Sequence, residues 1–104
     1  METRSAFGDD TEQMPPIVIV EKTDIKTPER ETILNVIRER ITDEGLKKPG
    51  LLAEAIKEDL EDRTGKYYWH CIIGSDFACF VTYTPGSFMR LTYKETTVQV
   101  FRLG

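Results

Sequence analysis

A chain of 104 residues has room for one domain, and folding at this size hides only a modest share of the surface, so a second chain is a natural way to complete the core. A net charge of −4 excludes the basic footprint that nucleic acid or an anionic lipid surface requires, and no apolar run approaches the roughly 20 residues that cross a bilayer. Two cysteines without C-x-x-C spacing are too few for a disulfide framework and wrongly spaced for metal or redox work.

The N-terminus, Met1-Glu2-Thr3-Arg4, leads into acids rather than a signal-peptide core, which implies a soluble intracellular protein. Residues 1–16 mix Gly, Asp, Thr and Gln with Pro15-Pro16 and read as a flexible tail, leaving 17–104 as the domain. Ile17-Val18-Ile19-Val20 is a β-branched run after prolines and suits a short strand at a sheet edge. Thr27-Pro28-Glu29-Arg30-Glu31 reads as a helix start, with Thr27 the N-cap, Pro28 the first helical residue and acids near the positive end of the dipole. Ile33, Val36, Ile37 and Ile41 recur at helical spacing, and this helix should stop near Gly45. A second helix runs from Pro49-Gly50 to about Arg63, with Leu52, Ile56 and Leu60 on its apolar stripe and Gly65 as its left-handed cap.

From Tyr67 the period changes to two. Spans 67–73, 76–83, 87–93 and 96–103 are rich in aromatic and β-branched residues and are separated by Gly74-Ser75, Pro85-Gly86 and Lys94-Glu95. After Lys66 the only charged residues are Asp76, Arg90, Lys94, Glu95 and Arg102, so this third is the apolar, sheet-forming part. The predicted fold is α+β: a short N-terminal strand, two helices, then a four-stranded antiparallel meander with the helices on one face. In the 76–83 strand, Phe77, Cys79, Val81 and Tyr83 alternate with Ala78, Phe80 and Thr82, so both faces carry apolar bulk. Such a strand has no wet side, and its edge must be paired, covered or used. Cys71 and Cys79 are expected to be reduced and packed as small hydrophobes.

Chemistry is poorly supported on the same residues. His70 and Cys71 are adjacent on a strand and point to opposite faces, which forbids a Cys–His dyad between them. No G-x-G-x-x-G, P-loop, H-E-x-x-H or EF-hand spacing occurs, so neither a cofactor nor a metal is implied, and Asp59, Glu61 and Asp62 read as a solvated helix face. A thiol enzyme would need Cys71 or Cys79 exposed with a lowered pKa.

Trp69-His70-Cys71-Ile72-Ile73-Gly74, then Phe77, Phe80-Val81-Thr82, Phe88 and the ending Phe101-Arg102-Leu103-Gly104, resembles the signature of the 8-kDa dynein light chain family over about 19–104. The resemblance implies a noncatalytic homodimer, cytoplasmic and associated with the cytoskeleton, in which the 76–83 strand pairs with the partner subunit. Its free edge then takes an extended peptide by strand addition beside the second helix, backbone bonds giving affinity and side-chain pockets selectivity. The implied partners are a second copy and disordered linear motifs, those of the dynein intermediate chain or other proteins, with two grooves giving bivalent engagement. Carried onto this sequence, the peptide groove is Asp76, Phe77, Ala78, Cys79, Phe80, Val81, Thr82, Phe88 and Arg90. The dimer interface is His70, Phe80, Val81 and Tyr83. A buried imidazolium is costly, so acid is expected to weaken a dimer with His70 at its interface.

The chain departs from the family pattern at the groove. Ala78 and Cys79 stand where Gly and Ser are usual, Phe80 replaces a tyrosine and Tyr83 a histidine, and Arg90 and Thr92 replace tyrosines. Pro49-Gly50 stands where the family presents an acid and a lysine to a client glutamine, and Leu103 stands where a phosphorylatable serine precedes the last glycine. A standard Thr-Gln-Thr peptide is therefore expected to bind less tightly. An alternative that keeps the fold and the dimer without the groove is a structural dimerisation module, as in tegumental light-chain-like proteins.

Overall fold

A computed structural model describes residues 16–104. The tail expected over 1–16 lies outside them except for Pro16. Strand β1 spans Ile19–Thr23, helix α1 Glu29–Arg40 and helix α2 Pro49–Thr64, with a 3-10 turn at Gly45–Lys47 between the helices. Strands β2 (Trp69–Gly74), β3 (Met89–Tyr93) and β4 (Thr96–Arg102) complete the chain. The sheet is four-stranded in the order β1-β3-β4-β2, and every neighbour is antiparallel.

Both helices follow their apolar stripes. Ile33, Val36, Ile37 and Ile41 from the first and Leu52, Ile56 and Leu60 from the second are buried. They meet Trp69, Met89, Leu91, Val98 and Val100 on the inner face of the sheet, each such side chain contributing about 1.5–3 kcal/mol of transfer free energy. Trp69 is fully buried, its indole N–H donating to Thr64 Oγ1 at 3.1 Å, and its backbone N–H donates to Glu61 Oε2 at 3.1 Å. These two bonds pin the start of β2 to the end of α2, where Gly65 adopts φ 69° as the left-handed cap.

Helix α1 begins one residue later than the Thr27 cap predicts. Pro28 occupies the N-cap position and has no side-chain oxygen to cap with, and the first amides, of Arg30, Glu31 and Thr32, donate instead to the carbonyls of Lys26 and Pro28. It also ends at Arg40 rather than near Gly45, since Ile41 turns extended and fully buries its side chain. Thr42 Oγ1 then accepts from Gly45 N at 2.8 Å to start the short turn.

The largest difference from the expected meander is at 76–83. The fourth place in the sheet is taken by β1, which lies at one edge beside β3, and the segment Asp76–Tyr83 belongs to no strand. This segment crosses the outer face, away from the helices, where it meets Arg90 and Gln99 of the sheet.

Candidate functional site

Strand β2 is the second edge of the sheet, paired only with β4. Its other side carries backbone groups open to an additional strand. Between that edge and α2 lies a groove of about 330 Å³, walled by Ala53, Glu54 and Lys57 of the helix and His70, Cys71 and Ile72 of the strand. His70 lies on the outer face, stacked on Phe101 with ring centroids 5.6 Å apart, while Cys71 packs toward the core. The opposite orientations read from sequence hold, and burial pushes the Cys71 thiol up to about 12. A thiol so protonated is a poor nucleophile at neutral pH.

Downstream of Gly74 the chain forms an arm. A Cβ at Gly74 would lie 3.0 Å from the Phe77 ring, so any larger residue there would push that ring aside by a few tenths of an ångström. Among the described residues, no backbone hydrogen bond joins Asp76–Tyr83 to another element, and such bonds resume with Thr84 N to Arg102 O at 2.8 Å. The sequence alternation is only partly kept in the exposure of the arm, because Ala78, Cys79 and Phe80 are exposed in succession. Phe77, Val81 and Tyr83 are half-buried, whereas Ala78, Phe80 and Thr82 are exposed. Phe80 is 99% exposed, a large apolar side chain with nothing to cover it.

The root of the arm rests on polar side chains. The Arg90 guanidinium donates to the Phe77 carbonyl at 3.2 Å and to Gln99 Oε1 at 3.0 Å, reaches Glu21 Oε1 at 3.3 Å, and lies 4.7 Å from the Phe77 ring centroid. Gln99 Nε2 donates to Cys79 Sγ at 3.1 Å, and the thiol returns to Gln99 Oε1 at 3.3 Å. Gln99 is fully buried although it faces away from the helices. Cys79 is exposed, which corrects the expectation that both cysteines pack inside: its segment has no neighbouring strand to cover it.

The far end of the arm is held by the turn before β3. Tyr83 packs on Phe88 with centroids 4.8 Å apart. Asp24 accepts from Gly86 N at 2.8 Å and Phe88 N at 2.9 Å, and Thr23 Oγ1 donates to Phe88 O at 2.7 Å, so the end of β1 clasps this turn. Of the residues read as a groove, the fold brings Phe77, Cys79 and Arg90 together and seats Phe88 under Tyr83, while Asp76, Ala78, Phe80 and Thr82 stand exposed and Val81 half-buried. His70 sits on β2, on the sheet to which the arm's residues do not belong. Sequence reading passed over Gln99 and Glu21. Gln99 was accessible to it, as the polar residue between Val98 and Val100 in a strand whose valines face the helices.

Comparison with known proteins adds the decisive observation: the family model described as Dynein light chain type 1 matches residues 18–103. The chain belongs to the dynein light chain family. It is 31% identical over 85 residues to a protein named probable dynein light chain 2, cytoplasmic, of Caenorhabditis elegans, covering 82% of this chain and 91% of that one. It is 26% identical over 85 residues to dynein light chain 1, cytoplasmic, of Candida glabrata, covering 82% of this chain and 95% of the relative. In three dimensions it is similar to the dynein light chain-like domain of a Fasciola hepatica calcium-binding protein, with a TM-score of 0.66, 15% identity and coverage of 86% of this chain and 93% of that domain. That likeness bears on the fold. The two helices and the four-stranded antiparallel sheet are those of a dynein light chain. Among the described residues no group of three or more His, Cys, Asp or Glu is placed to hold a metal ion, and no helix is long and apolar enough to cross a membrane.

Proposed function

We propose that this light chain is a noncatalytic dimeric adaptor in which the arm of each copy adds to the β2 edge of the other. One observation carries the reading: a single molecule holds both a segment, Asp76–Tyr83, without a backbone partner and a sheet edge without a strand partner. Each satisfies the other's backbone groups, and an unpaired apolar edge is otherwise a site of uncontrolled association. Phe80 and Val81, with Tyr83 and His70, form the interface. The outward edge of the added arm then receives an extended peptide beside α2, in a groove drawn from Asp76–Thr82, Phe88 and Arg90. The protein works in the cytoplasm on the cytoskeleton, as part of the dynein motor complex, with the dynein intermediate chain or other disordered linear motifs as clients.

A second reading keeps the dimer and drops the peptide. It is favoured by the start of α2, where Pro49-Gly50 opens the helix with no acid in the first turn and Leu51 is 62% exposed. Sedimentation velocity over a dilution series, combined with a peptide array, separates the two. A concentration-dependent dimer that binds extended peptides supports the adaptor, and a dimer indifferent to every peptide supports the structural module. A monomer at all concentrations removes both.

A further inference from the structure

We propose that Arg90 and Gln99 are positioning residues for strand exchange, bracing the root of the arm on its own sheet so that residues 80–82 are presented to a second copy. The inference rests on the exchange reading above and goes beyond it by naming what sets the arm's course. The guanidinium has acceptors on three separate elements: Glu21 on β1, Gln99 Oε1 on β4 and the Phe77 carbonyl of the arm. A planar fork can serve all of these at once, and a lysine ammonium, a point charge on a flexible stem, cannot hold the same geometry. Gln99 is fully buried, and its two amide ends are occupied by Arg90 and the Cys79 thiol. Losing either neighbour would leave a buried polar group short of partners, so the cluster holds or fails as a unit.

The position of the cluster along the arm gives its effect a sign. Phe77 and Cys79 are tied down at one end, and Thr84 is tied down at the other by its N–H to Arg102 O and its hydroxyl to Gly104 O at 2.9 Å. Between these ties lie the 99%-exposed Phe80 and the exposed Thr82. Because the chain continues into its own β3, only this middle can reach another molecule, and the ties at its ends need not break when it does. A segment tied at both ends before pairing loses less conformational freedom on pairing, which strengthens association. The cluster is therefore a brace and not a catch holding the arm back.

The test compares the unmodified chain with Arg90→Lys, Arg90→Met, Gln99→Leu and the double substitution Arg90→Met/Gln99→Leu. The dimer dissociation constant is read by sedimentation, and the rate of chymotryptic cleavage at Phe80 is read at a dilution where every variant is monomeric. The expected result is a dimer weakened about tenfold or more by either Arg90 substitution, with the double variant losing less than the sum of the singles. Cleavage at Phe80 should accelerate by more than any fall in the thermal midpoint of the dilute monomer accounts for, whereas a general packing defect would raise cleavage along the whole chain in step with that fall. Failure of Arg90→Lys to restore the dimer supports the fork geometry. An unchanged dissociation constant overturns the proposal, and a tighter dimer overturns it in favour of a catch. If the unmodified chain never dimerises, the exchange reading fails and this proposal with it, whereas an unmodified chain that dimerises and variants that dimerise as tightly end this proposal alone.

Discussion

Between the helices and the sheet the apolar side chains have found their neighbours within one chain; on the far side, the arm has left several of its own exposed. The inner face joins Ile33, Ile37, Ile56, Leu60, Trp69, Leu91 and Val98 in one buried cluster. The outer face is tied by polar side chains at the arm's root, and its most apolar projection, Phe80, is bare. The contrast suggests a division of labour: the inner face sets whether the chain folds, and the outer face sets what the folded chain joins.

Substitutions chosen from each side can break this contrast, the largest effect coming from the core. Ile56→Ala, at a fully buried position, should cost about 2–5 kcal/mol in urea unfolding through lost transfer energy and a residual cavity. If it costs no more than a surface change, the inner face is not the source of stability. Phe80→Ser addresses the other side. It should leave monomer stability within about 0.5 kcal/mol, as surface positions generally do, while the dimer measured by sedimentation is strongly weakened; a dimer as tight as before would show that the exposed ring is no interface residue.

The smallest effect concerns the seam where α2 meets β2. The Lys57 ammonium, 2.8 Å from Glu61, holds the Glu61 carboxyl below its usual range, and the Trp69 backbone N–H adds to this. A carboxyl depressed in the folded state contributes stability that is present above its unfolded pKa and is lost as pH falls through the folded one. Stability should therefore decline in the acid range, and Glu61→Gln should flatten that part of the profile without changing its shape near neutrality. An unaltered acid limb would remove Glu61 from the seam's energetics.

The inner face was legible because its signals are local. A period near 3.6 placed Ile33, Val36, Ile37 and Ile41 together, Leu52, Ile56 and Leu60 likewise, and Gly65 marked the end of α2 before any tertiary contact was known. The Trp69-His70-Cys71 run, with its spacing to Phe77 and Phe88, pointed to the family. What could not be read was set at long range. The place of β1 beside β3 joins residues far apart in sequence, and alternation cannot say which of several strands takes the edge. The path of 76–83 illustrates the limit. Its period-two pattern is present in the sequence and only partly kept in the exposure, where Cys79 breaks it, and a pattern tells a strand from a helix and not which sheet the strand enters. The contacts at its root, Arg90 to the Phe77 carbonyl and Gln99 to Cys79, are of a kind for which neither spacing nor propensity carries a signature.

The bare ring of Phe80 also bears on how long a copy survives in the cell. An unpaired chain displays Phe80 and the open β2 edge together, the features by which chaperones and proteases sort incompletely assembled proteins. In the dimer proposed above, a second copy would cover both and remove the two signals. Abundance would then follow assembly rather than synthesis: surplus copies would be cleared first, and any change that slows pairing would shorten the protein's lifetime before it altered its fold.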